Sequence, residues 1–382
     1  MAFARGSRIP RDQGSKGASM AICSGKRRPW LFEAFPALEP QVPWTPLVEA
    51  PTPVQPLEAL STHLGSEVWI KRDDQTSPIY GGNKPRKLEF LMGEALSRGY
   101  KTLVTGGGIG TNHGLATAIF GRKLGFHVVL GLFGQPVTAH VRKSLLLFHA
   151  YGAEMVYMDS LLRALWRYHV AERIRRRDAY FIDPGGSSPV GVLGFVDAGI
   201  ELAMQVERKE MPLPKVIYLA VGSCGTMAGL VLGLRLAGLR TRVLGVQVAP
   251  RIFANSRTVL RLARKALKRL RRYDRDVPRV ELTPRDVPID ADYYGRGYGH
   301  PTDTARRALA LMTRSEGIGL DLTYTAKTLG GLLHRVRSGG EKGPVLFWNT
   351  FNSVDLSRMA DRVEPSMLPV AFHRFFEGKI AD

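Results

Sequence analysis

Cysteine is nearly absent. The chain has two, Cys23 and Cys224, far apart and in unlike surroundings, so neither a disulfide framework nor a cysteine zinc site can be built from them. That usage leads us to expect a reducing, cytoplasmic setting. Long apolar runs are also missing: no stretch approaches the roughly eighteen consecutive apolar residues that a membrane-spanning helix needs. Acids are scarce, 34 against 54 bases, and the net charge of +20 raises the question of nucleic acid or an anionic membrane as partner. Internal repeats are not evident. The chain does have 382 residues, 44% of them hydrophobic, and 41 glycines, enough for two domains or one large α/β unit with a real core.

The charge is uneven. Residues 1–30 hold Arg5, Arg8, Arg11, Lys16, Lys26, Arg27 and Arg28 against the single acid Asp12, among Gly and Ser. This reads as a disordered basic tail. The composition also suits an organelle transit peptide, and Met20 offers an alternative start. Seven prolines over 36–56 predict an extended, irregular path. Residues 1–45 are therefore set apart as a basic, proline-rich extension.

Beyond it the chain alternates. A short helix over 57–64 and a strand over 67–72 are followed by apolar strand candidates at 102–105, 127–132, 154–158, 180–183, 216–221, 243–248 and 345–348. Helical periodicity occupies 88–98, 112–124, 138–151, 161–177, 191–208 and 226–236. Such alternation predicts an α/β fold with two open, twisted, mostly parallel sheets and helices on both faces. Ligands of such sheets bind at the carboxyl ends of strands, so the glycine-rich strand-to-helix turns are where chemistry is expected.

Three turns qualify. In Gly81-Gly82-Asn83-Lys84-Pro85-Arg86-Lys87-Leu88-Glu89-Phe90, the glycines permit a tight turn and Pro85 suits a helix start, which puts Lys84 at a loop-to-helix junction. A lysine desolvated there would hold a free amine suited to imine chemistry. Gly106-Gly107-Gly108-Ile109-Gly110-Thr111-Asn112-His113-Gly114 lacks the last glycine of a dinucleotide fingerprint, but Thr111, Asn112 and the helix N–H groups suit a carboxylate, and His113 could stack or hydrogen-bond. Val221-Gly222-Ser223-Cys224-Gly225-Thr226 makes a nest of N–H and hydroxyl donors for a phosphate without the lysine of a Walker loop. Further along, Tyr298 and Tyr324 offer phenols that could donate a proton or bind a carboxylate, and Thr350 stands just past the end of the last strand.

Residues 257–275 form a basic amphipathic helix, nine Lys or Arg among nineteen positions, with Val259, Leu260, Ala263, Leu267 and Leu270 as one apolar stripe. Nucleic-acid or membrane binding through this helix is one reading; packing by its stripe with a solvated charged face is the commoner one.

Taken in order, these residues resemble the D-cysteine desulfhydrase and 1-aminocyclopropane-1-carboxylate deaminase family of pyridoxal-phosphate enzymes. The resemblance runs from Pro51-Thr52-Pro53-Val54-Gln55-Pro56 through Ile70-Lys71-Arg72-Asp73-Asp74 and the Lys84 motif to about Asp355. It implies a tryptophan synthase β-like fold (PLP fold type II) with a large domain of 46–96 plus 197–382, a small domain of 97–196, and a homodimer. It implies that Lys84 holds pyridoxal 5'-phosphate covalently and is the base at the substrate Cα. Ser223, Cys224, Gly225 and Thr226 would cup the phosphate, and Asn112 would stand near the ring. Thr111 takes the place of the usual Ser and, with Asn112, His113, Tyr298 and Tyr324, would face a small amino-acid substrate; Thr350 would be a neutral partner for the ring nitrogen. Thr325 follows Tyr324 where the cyclopropane deaminases have Glu. A neutral ring partner suits elimination of a good β leaving group better than opening of a cyclopropane. The expected activity is α,β-elimination to a 2-oxo acid and ammonia, with cyclopropane deamination or cysteate desulfonation as alternatives. Asn349-Thr350-Phe351-Asn352-Ser353 departs from the small glycine-rich turn usual there, which bears on the substrate. A basic nucleic-acid or membrane-binding protein on an inactive enzyme fold is the reading from another class.

Overall fold

The computed structural model describes residues 27–159, 176, 178–341 and 343–380. In chain order its elements are α1 (Trp30–Ala34), β1 (Val54–Pro56), α2 (Glu58–Leu64), β2 (Val68–Lys71), α3 (Lys84–Ser97), β3 (Thr102–Gly108), α4 (Asn112–Lys123), β4 (His127–Phe133), α5 (Ala139–Ala150), β5 (Glu154–Met158), β6 (Ala179–Phe181), α6 (Leu193–Glu207), β7 (Val216–Val221), α7 (Gly225–Leu236), β8 (Arg242–Gln247), α8 (Ser256–Tyr273), β9 (Ile289–Asp290), α9 (Asp303–Glu316), α10 (Thr325–Arg337), β10 (Val345–Trp348) and α11 (Ser357–Ala360). The strands form two sheets. One has six strands in the order β1-β2-β10-β7-β8-β9, the other four in the order β5-β4-β3-β6. Every pairing is parallel except β1 with β2. Parallel strands need crossovers, and the helices that supply them cover the sheets. The expected helix over 161–177 falls outside the described residues but for Arg176.

The strand pattern sets the burial. β7 and β10 are apolar on both faces, and Ile217, Leu219, Phe347 and Trp348 are buried. Between β2 and α6 lies a buried charge cluster. Lys71 donates to the Thr52 carbonyl (2.7 Å) and to Glu201 (2.6 Å). Arg86 grips Asp73 through Nε (3.0 Å) and Nη2 (2.8 Å) and reaches Glu201 through Nη1 (2.9 Å). Trp348 Nε1 adds a bond to Asp73 (2.8 Å). Because every charge has an opposite partner, the cluster tolerates full burial. Its effect is positional: Arg86 is two residues from Lys84, so the first turn of α3 is clamped to both β2 and α6.

The irregular extension expected over 1–45 is corrected for its described part. Residues 27–45 pack on the core: Leu31, Phe32, Leu38 and Val42 are buried, Arg27 pairs with Glu89 and Asp197, and Leu31 N donates to Asp197 (2.9 Å). Proline spacing hid this, because tertiary partners rather than local periodicity hold the segment. The basic stretch over 257–275 forms α8, and its apolar face is buried: Val259, Leu260, Leu262, Ala263, Ala266 and Leu270 lie against α7 and neighbouring loops. That corrects the membrane reading of this helix, since no apolar face is left to insert. At the other end of the chain, residues 357–378 cross to α5 and β5. Arg142 donates to the carbonyls of Phe375 (2.9 Å) and Gly378 (2.9 Å), and Phe372 is buried against Tyr157.

Candidate active site

The Lys84 loop is pressed between two backbones. A Cβ on Gly81 would sit 1.9 Å from the Asp74 carbonyl oxygen, and Gly82, at φ +87°, faces the Thr350 carbonyl where a Cβ would meet it at 2.7 Å. Only glycine fits at either place. Asn352 accepts from Gly81 N (2.6 Å), Ser353 Oγ donates to the Asp74 carbonyl (2.8 Å), and Asn83 N reaches the Thr350 carbonyl (3.4 Å). The unusual 349–353 turn is thus the floor of the lysine loop, and Thr350 lies beside it. Lys84 opens α3 with Pro85 after it, as its motif predicts. By surface area Lys84 is only half-buried, but the atoms around it desolvate the amine and push it down to about 8; the Asp321 carboxylate opposes this and does not reverse it.

A cluster of small donors lies beside Lys84. Gly225 N and Ser223 Oγ both meet Ser187 Oγ, at 3.2 and 2.7 Å, and Lys87 Nζ donates to the Gly185 carbonyl (3.1 Å) and Ser187 Oγ (3.3 Å). Asn83 Nδ2 donates to Thr226 Oγ1 (3.1 Å), which ties the lysine loop to the start of α7. Cys224 differs from its neighbours. It takes a left-handed conformation at φ +66°, and its thiol turns away to the Phe253 carbonyl (3.1 Å), so of this residue only the backbone belongs to the nest. Burial pushes that thiol up, out of the reactive range.

The phenols stand beside the same turn, Tyr324 Cε1 lying 3.7 Å from the point a Cβ on Gly222 would occupy. Tyr298 and Tyr324 share a hydrogen bond of 2.5 Å, and burial pushes both up, Tyr324 further because it hydrogen-bonds Tyr298. Tyr324 is placed by Asp321, whose carboxylate accepts from Tyr324 N (2.6 Å), Thr323 N (2.9 Å) and Thr325 Oγ1 (2.9 Å). The loop bearing Tyr298 is tied to α10 by Lys327, which donates to the Tyr294 carbonyl (2.7 Å). Thr111 caps α4, its hydroxyl accepting from Gly114 N (3.3 Å). Tyr80 donates to the Asn112 carbonyl (3.3 Å), and His113 is buried with Nε2 on Thr105 Oγ1 (3.1 Å).

A loop lysine with a depressed amine, a nest of small donors and a phenol pair thus lie around the carboxyl ends of β7, β10 and β3. The sequence pattern of a family described as "Pyridoxal-phosphate dependent enzyme" matches residues 46–350. The chain belongs to the pyridoxal-phosphate dependent enzyme family. It is 35% identical over 327 residues to D-cysteine desulfhydrase of Klebsiella pneumoniae (strain 342), covering 83% of this chain and 94% of that one. It is 35% identical over 329 residues, with the same coverage, to D-cysteine desulfhydrase of Salmonella newport (strain SL254). Among solved structures it resembles an ACC deaminase homologue (TM-score 0.72, 30% identity, 86% of this chain and 99% of that one). A threonine deaminase from T.th. shares the fold (TM-score 0.57, 20% identity, 86% and 98%). The protein is a pyridoxal-phosphate-dependent enzyme.

The residues present fit the cofactor of this pyridoxal-phosphate family. A Cβ on Gly225 would lie 2.4 Å from Ser187 Oγ and 3.0 Å from Lys87 Nζ, so this backbone must stay bare for an anion to share those donors. The donor set of two serines, a threonine, a backbone N–H and a lysine matches a phosphate dianion. Reading the sequence missed Ser187, Lys87, Asn83, Tyr80 and Asp321. Two signals were there to find them: Asn83 and Lys87 lie within the Lys84 motif, and Gly185-Gly186-Ser187 is another glycine-rich strand-to-helix turn.

Proposed function

We propose that the chain eliminates the β substituent of a small amino acid, with D-cysteine as substrate, and that Lys84 both holds pyridoxal phosphate and acts as the base at Cα. The observation that supports this most is the Lys84 amine, depressed to about 8 by burial at the loop-to-helix junction, where Asn83 is tied to Thr226 of the nest. Bound pyridoxal phosphate supplies the electron sink that makes a Cα proton removable. In this reading Ser187, Ser223, Gly225 N, Thr226 and Lys87 hold the phosphate. Asn112 steadies the ring and Thr350 faces its nitrogen as a neutral partner. Thr111, Asn112 and His113, at the N-terminus of α4, receive the substrate carboxylate, where helix N–H groups favour an anion. Lys84 takes the Cα proton, and Tyr324, paired with Tyr298, donates one to the departing sulfur. The 2-aminoacrylate that leaves hydrolyses, so D-cysteine and water give pyruvate, hydrogen sulfide and ammonia. We also take the two sheets as the cores of two domains, 46–96 with 197–382 and 97–196, the site lying between them.

Cyclopropane ring opening is the second reading, favoured by the 30% identity to the ACC deaminase homologue. Thr325 weighs against it. Its hydroxyl bonds the Asp321 carboxylate at 2.9 Å, so a glutamate in its place would set two acids together. The deciding experiment measures ammonia and sulfide release from D- and L-cysteine, cysteate and 1-aminocyclopropane-1-carboxylate. Sulfide from D-cysteine above the others is expected; ammonia from the cyclopropane alone would reverse the order. In parallel, borohydride reduction should fix the cofactor to the wild type and leave none on Lys84→Ala. Turnover retained by Lys84→Ala would end the assignment of that lysine.

A further inference from the structure

Gly110 stands one residue before Thr111, and the peptide planes on both sides of it are held by side chains from the segment that joins β4 to α5. Gly110 N donates to Gln135 Oε1 (3.3 Å), and His140 Nε2 donates to the Gly110 carbonyl (3.3 Å). A carbonyl only accepts, so the hydrogen of that second bond is on Nε2. The plane between Gly110 and Thr111 is pinned at its far end as well, because Thr111 N donates to the Gly108 carbonyl (2.9 Å), and Ile109 N donates to the Phe133 carbonyl (2.9 Å). A planar peptide leaves only φ and ψ free, and at Gly110 both neighbouring planes are fixed.

Crowding is what requires a glycine there. A Cβ on Gly110 would sit 2.8 Å from Val141 Cγ2, and one on Gly108 would sit 2.0 Å from Gln135 Oε1. Glycine brings conformational freedom with it, and here that freedom falls immediately before the residue that caps α4. The restraining segment lies at the edge of the site: Gln135 Nε2 and Pro136 Cδ are 3.9 and 3.7 Å from the point a Cβ on Gly299 would occupy, next to Tyr298. We infer that Gln135 and His140 are positioning residues for the substrate carboxylate. By restraining Gly110 they hold the hydroxyl and N–H groups of the Thr111–Asn112 turn in the one arrangement that receives it. Without them the donors spread over several arrangements, and ordering them on binding costs affinity. The proton transfers assigned to Lys84 and Tyr324 take place after binding and do not bear that cost. The inference rests on the reading that the 111–113 turn takes the carboxylate.

The test uses the holoenzyme and three probes: D-cysteine, 3-mercaptopropionate, which lacks the amine, and cysteamine, which lacks the carboxylate. Gln135→Met keeps the length and removes the acceptor, and His140→Leu removes the donor. Each should raise KM for D-cysteine about tenfold with kcat within about twofold of the wild type. Each should weaken 3-mercaptopropionate by a similar factor, read by calorimetry, and leave cysteamine unchanged. His140→Gln keeps an N–H for the Gly110 carbonyl and should recover most of the loss. If Gln135→Met fails to fold, the His140 pair decides; if His140→Leu does, Gln135→Met decides. Folded variants that bind 3-mercaptopropionate as the wild type does would overturn the inference. Equal weakening of cysteamine, the mark of a site loosened throughout, would overturn it too, as would a lower kcat at unchanged KM. Thr111→Val tells this failure from failure of the reading beneath it. If Thr111→Val weakens 3-mercaptopropionate and the Gln135 and His140 variants do not, the inference alone falls; if none of them does, the carboxylate is not received at that turn.

Discussion

At the scale of single residues, the site depends on how burial treats like amines differently. Lys84, Lys87 and Lys71 are all depressed by desolvation, but Lys71 is held beside Glu201 and Lys87 beside carbonyl and hydroxyl acceptors. Lys84 has the Asp321 charge to oppose its burial and burial prevails, which leaves an amine suited to act as a nucleophile. The sign of the pH dependence follows. Below about 8 the Lys84 amine is protonated and unreactive; above it the free base dominates. Capture of pyridoxal phosphate by the cofactor-free protein should therefore speed up through that pH, as followed by the absorbance of the bound cofactor. A rate that falls over the same range would contradict it. Tyr324→Phe removes the phenol proposed to protonate the leaving group and should lower kcat about a hundredfold while cofactor binding is kept. Steady-state kinetics with D-cysteine and a cofactor titration read the two effects separately.

At the scale of elements, turns rather than helices make the site. The 349–353 turn looked like a substrate determinant in the sequence, but Asn352 and Ser353 bond the Gly81 and Asp74 backbone and so support the lysine loop. Asn352→Ala leaves Gly81 N without its 2.6 Å acceptor. We expect a drop of about 1–2 kcal/mol in stability, read by urea unfolding of the cofactor-free protein, with weaker cofactor retention. Asn352→Asp keeps an acceptor and should recover most of both. α10 shows the same logic, because Asp321 accepts from Thr323 N and Tyr324 N just before that helix and from Thr325 N at its first position (3.2 Å), and in doing so aims Tyr324.

At the scale of the whole molecule, the charge cluster under α3 links the lysine to the larger sheet. Burial alone would raise the Glu201 carboxyl, but Arg86 and Lys71 beside it hold it below the ordinary carboxylate range. A depressed carboxylate contributes stability that is full above its unfolded value and lost as pH falls through the folded one. Glu201→Gln should cost about 3–5 kcal/mol at neutral pH, because it leaves the buried Lys71 without its carboxylate and Arg86 with Asp73 alone, and should flatten the acid limb of the stability curve. Chemical denaturation across a pH series checks both. Phe372→Ala, in the segment crossing to α5 and β5, should cost about 3 kcal/mol if that segment is part of the folded unit. A negligible change there would show that the crossing contributes nothing to stability.

The sequence by itself determined the alternation of strands and helices, the parallel sheets, and the three glycine-rich turns, because these follow from local periodicity and from backbone conformations that few residues can adopt. Lys84, Asn112, Ser223 and the two tyrosines each stand in a short motif, which is why the sequence singles them out as candidates. The packing of 27–45, the direction of the Cys224 thiol, the support of the lysine loop by Asn352 and the gathering of Ser187 and Lys87 at one nest were decided only by tertiary structure. Those features depend on contacts between residues tens to hundreds of positions apart, which no local pattern encodes.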